Sequence, residues 1–252
     1  WGVVRRWALA WWRILYLGAV VCVLVLSPSS YGKVTRRALA RHLYLDTAPV
    51  LLGFTVLAAL ISLVLTRIVV VTAISYGLSR YALEMVIRVL VLELIPLTAA
   101  LFVAMRCTIP NGTQLALLRQ SGHLARLSHA GADPIRVELL PRAVAGVFAC
   151  ITLAALSCVV ALVLAYLGVY GFSLAGLPSY TRMFGHVFAP AVTLVFVIKT
   201  VLFSLAVALI PMAAGLYDTG ERTQPDSELG GLARMFAVLL LIEIGSLVGN
   251  YY

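Results

Sequence analysis

The chain alternates long apolar runs with short polar segments that carry most of its arginines. The opening stretch, "RRWALAWWRILYLGAVVCVLVLSPSS", sets basic residues and tryptophans ahead of a strongly apolar run. After Arg13 that run is only about 14 residues, short of the ~20 that cross a bilayer. It reads as a helix lying in the interface or shallowly inserted, with its tryptophans and Tyr16 at headgroup level; a true span is the other reading. Pro28 and Gly32 break it. The basic, amphipathic "KVTRRALARHLYLD" leads into a first clear span over 47–66. Arg67 interrupts, yet the apolar pattern runs to Tyr76, which predicts a long helix or one broken near Arg67. A turn region over 77–88 precedes a second span, 89–105. Further spans are expected over 143–167, 187–214 and 232–248. Between them lie a polar segment (106–142), a loop or re-entrant surface rich in Gly, Ser and aromatics (168–185), and a hydrophilic, solvated loop (215–231). The pattern predicts an all-α polytopic membrane protein. It has an N-terminal interfacial or amphipathic region over 1–46 and a transmembrane domain over 47–252.

Composition agrees. The 252 residues are 62% hydrophobic and 12% charged, with mean hydropathy +1.03, which excludes a soluble domain of this size. Several spans leave no room for ATP hydrolysis or for large work outside the membrane, so either needs another chain. The net charge of +9 does not point to nucleic acid, because the basic residues flank apolar runs and suit topology and anionic headgroups instead. With five spans and a cytoplasmic N-terminus, fourteen Lys and Arg fall on the cytoplasmic side and four opposite. The C-terminus then emerges outside. The Trp at position 1 predicts a natural start further upstream, and basic residues after the first apolar run argue against a cleaved signal peptide. The four cysteines form no CxxC and the four histidines show no metal spacing, so neither a disulfide framework nor a metal site is expected. No HExxH, GxSxG or Walker loop occurs, and no catalytic constellation.

Three features carry chemistry. A carboxylate within a span costs about 2.5–3.5 kcal/mol, so Glu93 either pairs with Arg88 near the interface or marks a polar point in an apolar pocket. Lys199, midway along the fourth span, needs a partner, and Glu243 in the last span is the candidate for an intramembrane pair; a headgroup contact or gating element is the other reading. The 106–142 segment is longer than a simple connection needs. Gln120 to Ala130 can form a short helix with Leu124 and Leu127 on one face and Arg119, Arg126, His123 and His129 around it. Pro134 after Asp133 breaks it, and Pro141-Arg142 restarts the chain. This is either a solvated basic loop or a docking helix.

The stretches "ELIPLTAALFVAMR" and "GADPIRVELLPRAVAG" resemble the MlaE family, the permease subunits of MCE-type ABC lipid transporters. Glu93, Pro96, Arg106, Gly131, Asp133, Pro134, Arg136, Pro141 and Arg142 fall at the family's motif positions without a gap. "FVIKTVLF" with Lys199 and Phe203, and "GLYD", are further matches; "RHLY" is a weaker one. The resemblance implies a permease with a cytoplasmic coupling helix in 106–142, and contact with an ATPase through Arg119, Arg126, Gly131, Asp133, Pro134 and Arg136. It implies a lipid pocket marked by Glu93 and lined by Leu94, Leu65, Thr72 and Tyr76. It also implies a homodimer in the bacterial inner membrane, two ATPase subunits holding ATP and Mg, a periplasmic MCE-domain protein and a small cytoplasmic regulatory subunit. The cargo would be phospholipid or a similar lipid, the role outer-membrane lipid homeostasis, and no cofactor would be bound by this chain. The departures are "CTIPNG", Gln114 in place of a Glu, Gly122-His123 in place of a Glu-Gln pair, Ala125 and Ser128 where acids are common, and Leu92 where an Arg is. They predict an acidic partner surface or weakened coupling. The rivals are a non-ABC channel or secondary transporter, an intramembrane lipid-modifying enzyme, and a structural subunit of the same complex.

Overall fold

The structure is a computed structural model that describes residues 2–27, 32–217 and 226–251. Among these residues every regular element is helical. The order is α1 (Gly2–Leu26), α2 (Lys33–Ser75), α3 (Ser79–Val86), α4 (Ile95–Val103), α5 (Ile109–Gln120), α6 (His123–His129), α7 (Leu140–Tyr170), α8 (Leu177–Val187), α9 (Pro190–Tyr217) and α10 (Asp226–Tyr251). In lipid an unpaired backbone group has no water to turn to, so a chain this apolar closes its hydrogen bonds within helices.

Several boundaries differ from those the hydropathy pattern predicts. α2 runs unbroken through Pro49, Arg67 and the 46/47 division. One arginine does not break a helix whose neighbouring positions are mostly apolar, and its own side chain is exposed. The expected turn over 77–88 shrinks to a tight one at Gly77, whose φ of +70 lets the chain reverse. Helix then continues from Ser79 to Gln120, because Arg106 and the residues after it stay helical. The 106–142 segment is therefore mostly helix, not a long loop. The Gly/Ser-rich 168–185 stretch contains α8, with Tyr180, Met183 and Val187 turned into the core. Of the expected loop over 215–231, residues 215–217 are instead the end of α9 and 226–231 the start of α10, because both helices extend beyond their apolar windows; 218–225 lie outside the described residues.

Among the described residues, six helical stretches are long and apolar enough to cross a membrane. The sixth is Ala8–Leu26, where the sequence pattern favours an interfacial helix. Leu17, Val21 and Leu24 are buried on one face of α1, while Trp12, Leu15 and Val23 on the other are exposed.

The chain forms two compact units, each assembled from three separate pieces of sequence. The first holds residues 1–49, 101–149 and 204–240; the second holds 50–100, 150–203 and 241–252. α1 belongs to the first unit only, whereas α2, α7, α9 and α10 each contribute residues to both. The core of the first unit gathers Leu17 and Val21 of α1, Leu115 of α5, Leu140 of α7 and Met212 of α9. That of the second gathers Leu83, Ile87, Leu90, Ile95, Ala161 and Val187.

Candidate functional site

Among the described residues, three wide, π-helical turns interrupt the regular helices, at Ile87–Leu94, Ala104–Thr108 and Ile135–Leu139. Such turns re-aim the side chains around them and recur at functional sites. Here they contain Glu93, Arg106, Arg136 and Glu138.

In the second unit, Lys199 of α9 is almost fully buried, with 1% of its side chain exposed. Its ammonium pairs with the Glu93 carboxylate and lies 2.9 Å from Glu243 Oε2 of α10. It also donates to the Leu92 carbonyl at 3.3 Å and sits 5.7 Å from the centre of the Phe203 ring, one turn further along the same face. Asn250 Nδ2 donates to Glu93 Oε1 at 3.4 Å. One cation thus faces two carboxylates where water is scarce. Each depends on the others, because an unpaired charge in such surroundings is costly. The structure brings together Glu93, Lys199 and Glu243. Arg88, the alternative partner for Glu93, instead pairs with Glu84 at 3.1 Å. Asn250 escaped the sequence reading, although it lies seven residues after Glu243 on one helical face.

The other predicted pocket residues are dispersed. Leu94 and Leu65 are half-buried against the core of the second unit. Thr72 and Tyr76 are exposed, Tyr76 by 76%. Nearby, Tyr180 of α8 donates to the Leu162 carbonyl at 2.9 Å. Burial pushes its phenol up to about 12, so the proton that makes this bond stays in place at ordinary pH.

The first unit carries a second polar cluster that the sequence reading did not assemble. Asn111 Nδ2 donates to Asp46 Oδ2 at 3.0 Å, and Cys107 Sγ points to the Asp46 carbonyl at 3.1 Å. His42 Nδ1 lies 4.0 Å from the same carboxylate. Buried Arg142 holds both the carbonyl and the carboxylate of Glu138, whose other oxygen is 3.7 Å from His123 Nε2 of α6. The four-residue spacings His42/Asp46 and Glu138/Arg142 were the available signal.

The segment expected to couple has a concrete shape. α6 has no buried residue, and glycines with positive φ stand on either side of it, Gly122 (+72) and Gly131 (+78). Arg126 closes back on the Ser121 carbonyl at 3.0 Å. Arg119 donates to the Leu216 carbonyl at 2.7 Å, covering the C-terminal end of α9, where a cation complements the free carbonyls. Asp133 Oδ1 accepts from the Ile135 amide at 3.0 Å, and its other oxygen lies 3.4 Å from Arg136 Nε. Asp133 therefore caps the helix that Pro134 opens. Asp133→Ala is expected to lose about 0.5–2 kcal/mol and to speed amide exchange over 135–139, with Asp133→Asn restoring most of the protection. Unchanged exchange in the alanine variant would count against the cap.

The described residues include no cluster of His, Cys, Asp and Glu able to hold a metal. Compared with known proteins, residues 39–247 match the family model described as Permease MlaE. No curated protein matches the chain.

Proposed function

The chain belongs to the MlaE permease family, and from that premise we propose that it is the membrane subunit of an ABC transporter that moves phospholipid or a similar lipid between the inner membrane and a periplasmic MCE-domain protein. The observation that carries the coupling half of this reading is α6, a short helix with Leu124 packed against the core and Ala125, Arg126, Ser128 and His129 exposed, held between two hinge glycines and tied through His123 and Glu138 to the start of α7. A helix held at both ends can pass motion to what it touches. An ATPase subunit holding ATP and Mg is the partner for that surface, with Arg126, Gly131, Asp133, Pro134 and Arg136 in contact. Arg119 supports the contact indirectly through the end of α9.

The Glu93–Lys199–Glu243 cluster marks the lipid side. Asn250 Oδ1 and Ser246 Oγ beside it have no protein partner among the described residues, which leaves polar capacity for a headgroup or water. Leu94 and Leu65 would meet acyl chains. Exposed Thr72 and Tyr76 would face a second copy of the chain, whose presence would complete the pocket. α1 would lie along the cytoplasmic interface, in keeping with its membership of one unit and with fourteen basic residues on that side.

Affinity purification of wild type and Arg136→Glu from native membranes in mild detergent tests this reading. Wild type should bring down an ATPase and an MCE-domain protein, and the variant should lose the ATPase while keeping the MCE protein. A wild-type chain that emerges without an ATPase would overturn the assignment in favour of a channel or secondary transporter. Gly122 in place of an acid keeps one other reading open, a structural subunit with weakened coupling. In that case the ATPase co-purifies, but lipid does not stimulate its activity.

A further inference from the structure

The first unit contains a shallow open cleft between α1, α9 and α10, with an enclosed volume of about 20 Å³. Arg13 and Arg234 line it, with Ile14, Ala213, Tyr217 and Gly231. Arg13 donates from one terminal nitrogen to the Tyr217 carbonyl at 3.3 Å and lies over the Tyr217 ring, 5.8 Å from its centre. Arg234 uses its Nε on the Gly230 carbonyl at 2.9 Å. Each guanidinium has five donors, so most of this donor capacity is not used by those contacts. Among the described side chains, which leave out those of residues 218–229, no carboxylate lines the cleft or pairs with either arginine.

Two guanidiniums beside apolar side chains match a phosphate that is attached to hydrocarbon. The flanks give the depth. Trp12 and Tyr16, beside Arg13 on α1, are exposed by 69% and 57%, and such aromatics mark the headgroup level of a bilayer. Exposed Leu9 and Leu15 extend an apolar surface along the same helix. We propose that this cleft binds the phosphate headgroup of an anionic membrane lipid, and so fastens α1 to α9 and α10. The site is separate from the Glu93–Lys199–Glu243 cluster and does not depend on which lipid the chain transports.

The tryptophans supply the test. All four, Trp1, Trp7, Trp11 and Trp12, fall within the first twelve residues, so selectively excited tryptophan fluorescence reports the N-terminal segment alone. The protein is placed in phosphatidylcholine vesicles with an equal mole fraction of dibrominated phosphatidylglycerol or dibrominated phosphatidylcholine. The expected result is stronger quenching by the glycerol lipid. That preference should fall about five-fold for Arg13→Gln or Arg234→Gln singly and further for the pair, taking about 1 kcal/mol per arginine near the surface. The Arg13→Lys, Arg234→Lys pair should keep much of it, which separates lost charge from lost fold. Equal quenching by both lipids, or a preference unchanged in the double Gln variant, overturns the proposal. So does displacement of the brominated glycerol lipid by inorganic phosphate, because the cleft would then be a site for free anions.

Discussion

Lys199→Met is expected to destabilise the protein by about 3–5 kcal/mol, the range for removing one partner of a buried charge pair. Methionine fills nearly the same volume, so the loss is electrostatic rather than a cavity. It leaves the Glu93 and Glu243 carboxylates facing each other without the ammonium that now sits between them. The diagnostic comparison is the triple variant Lys199→Met, Glu93→Gln, Glu243→Gln. Removing the stranded charges should restore most of the lost stability, because an apolar or neutral replacement for a whole buried ion cluster is often nearly neutral. Both variants would be compared by far-UV circular dichroism during denaturation in detergent. A triple variant no more stable than the single one would show that the lysine stem, not its charge, was the important contact. On the functional reading the two variants part company, since the triple variant folds but lacks its polar landmark. It should retain its partners and lose lipid transport.

The second large effect is expected at Gly112. A Cβ there would lie 2.6 Å from the Pro211 carbonyl oxygen and 3.0 Å from its carbon, both backbone atoms that cannot rotate away. One helical turn further along α9, a Cβ on Gly215 would meet the Gly112 carbonyl even more closely. α5 and α9 thus touch backbone to backbone, as helices in lipid do where small residues face each other. Gly112→Ala forces them apart. It should cost about 1–3 kcal/mol or more and loosen the Arg119 contact to the end of α9. The controls are Gly53→Ala and Gly245→Ala, where an added Cβ meets nothing within 4 Å. These should be neutral or stabilising by up to about 1 kcal/mol, the helix-propensity gain of alanine. A Gly112→Ala protein as stable as the Gly53→Ala control would contradict the close approach.

Both predictions rest on pairs far apart in the chain, Glu93 with Lys199 and Gly112 with Pro211. The sequence marked Glu93, Lys199 and Glu243 as singular, because a charge in an apolar run stands out whatever its neighbours are. It proposed the Lys199–Glu243 pair, which the structure places at 2.9 Å. It offered Arg88 for Glu93, the nearer residue along the chain, where the fold supplies Lys199. The "GADPIR" motif was legible as a break and a restart, because glycine and proline act on their own backbone. What Asp133 does there, accepting from the Ile135 amide, follows from the same local rule. Polar residues that looked ordinary were missed. Asn111 and Asn250 sit at unremarkable places in sequence, and only packing brings them to the carboxylates of Asp46 and Glu93.

By itself, then, the sequence determined that this is a helical membrane protein, where its apolar stretches lie, and which family it resembles. Those properties depend on composition, on hydropathy summed over a window and on motifs of close spacing, all of which are local. Only the tertiary structure decided that α2 runs unbroken past Arg67, that the 106–142 segment is helix rather than loop, and that one lysine serves two carboxylates. Only it paired Arg13 with Arg234 around one cleft. Helix continuity past a charge depends on whether that charge finds an exit or a partner. The meeting of distant side chains depends on how helices pack. Neither is written in any window of the chain short enough to read.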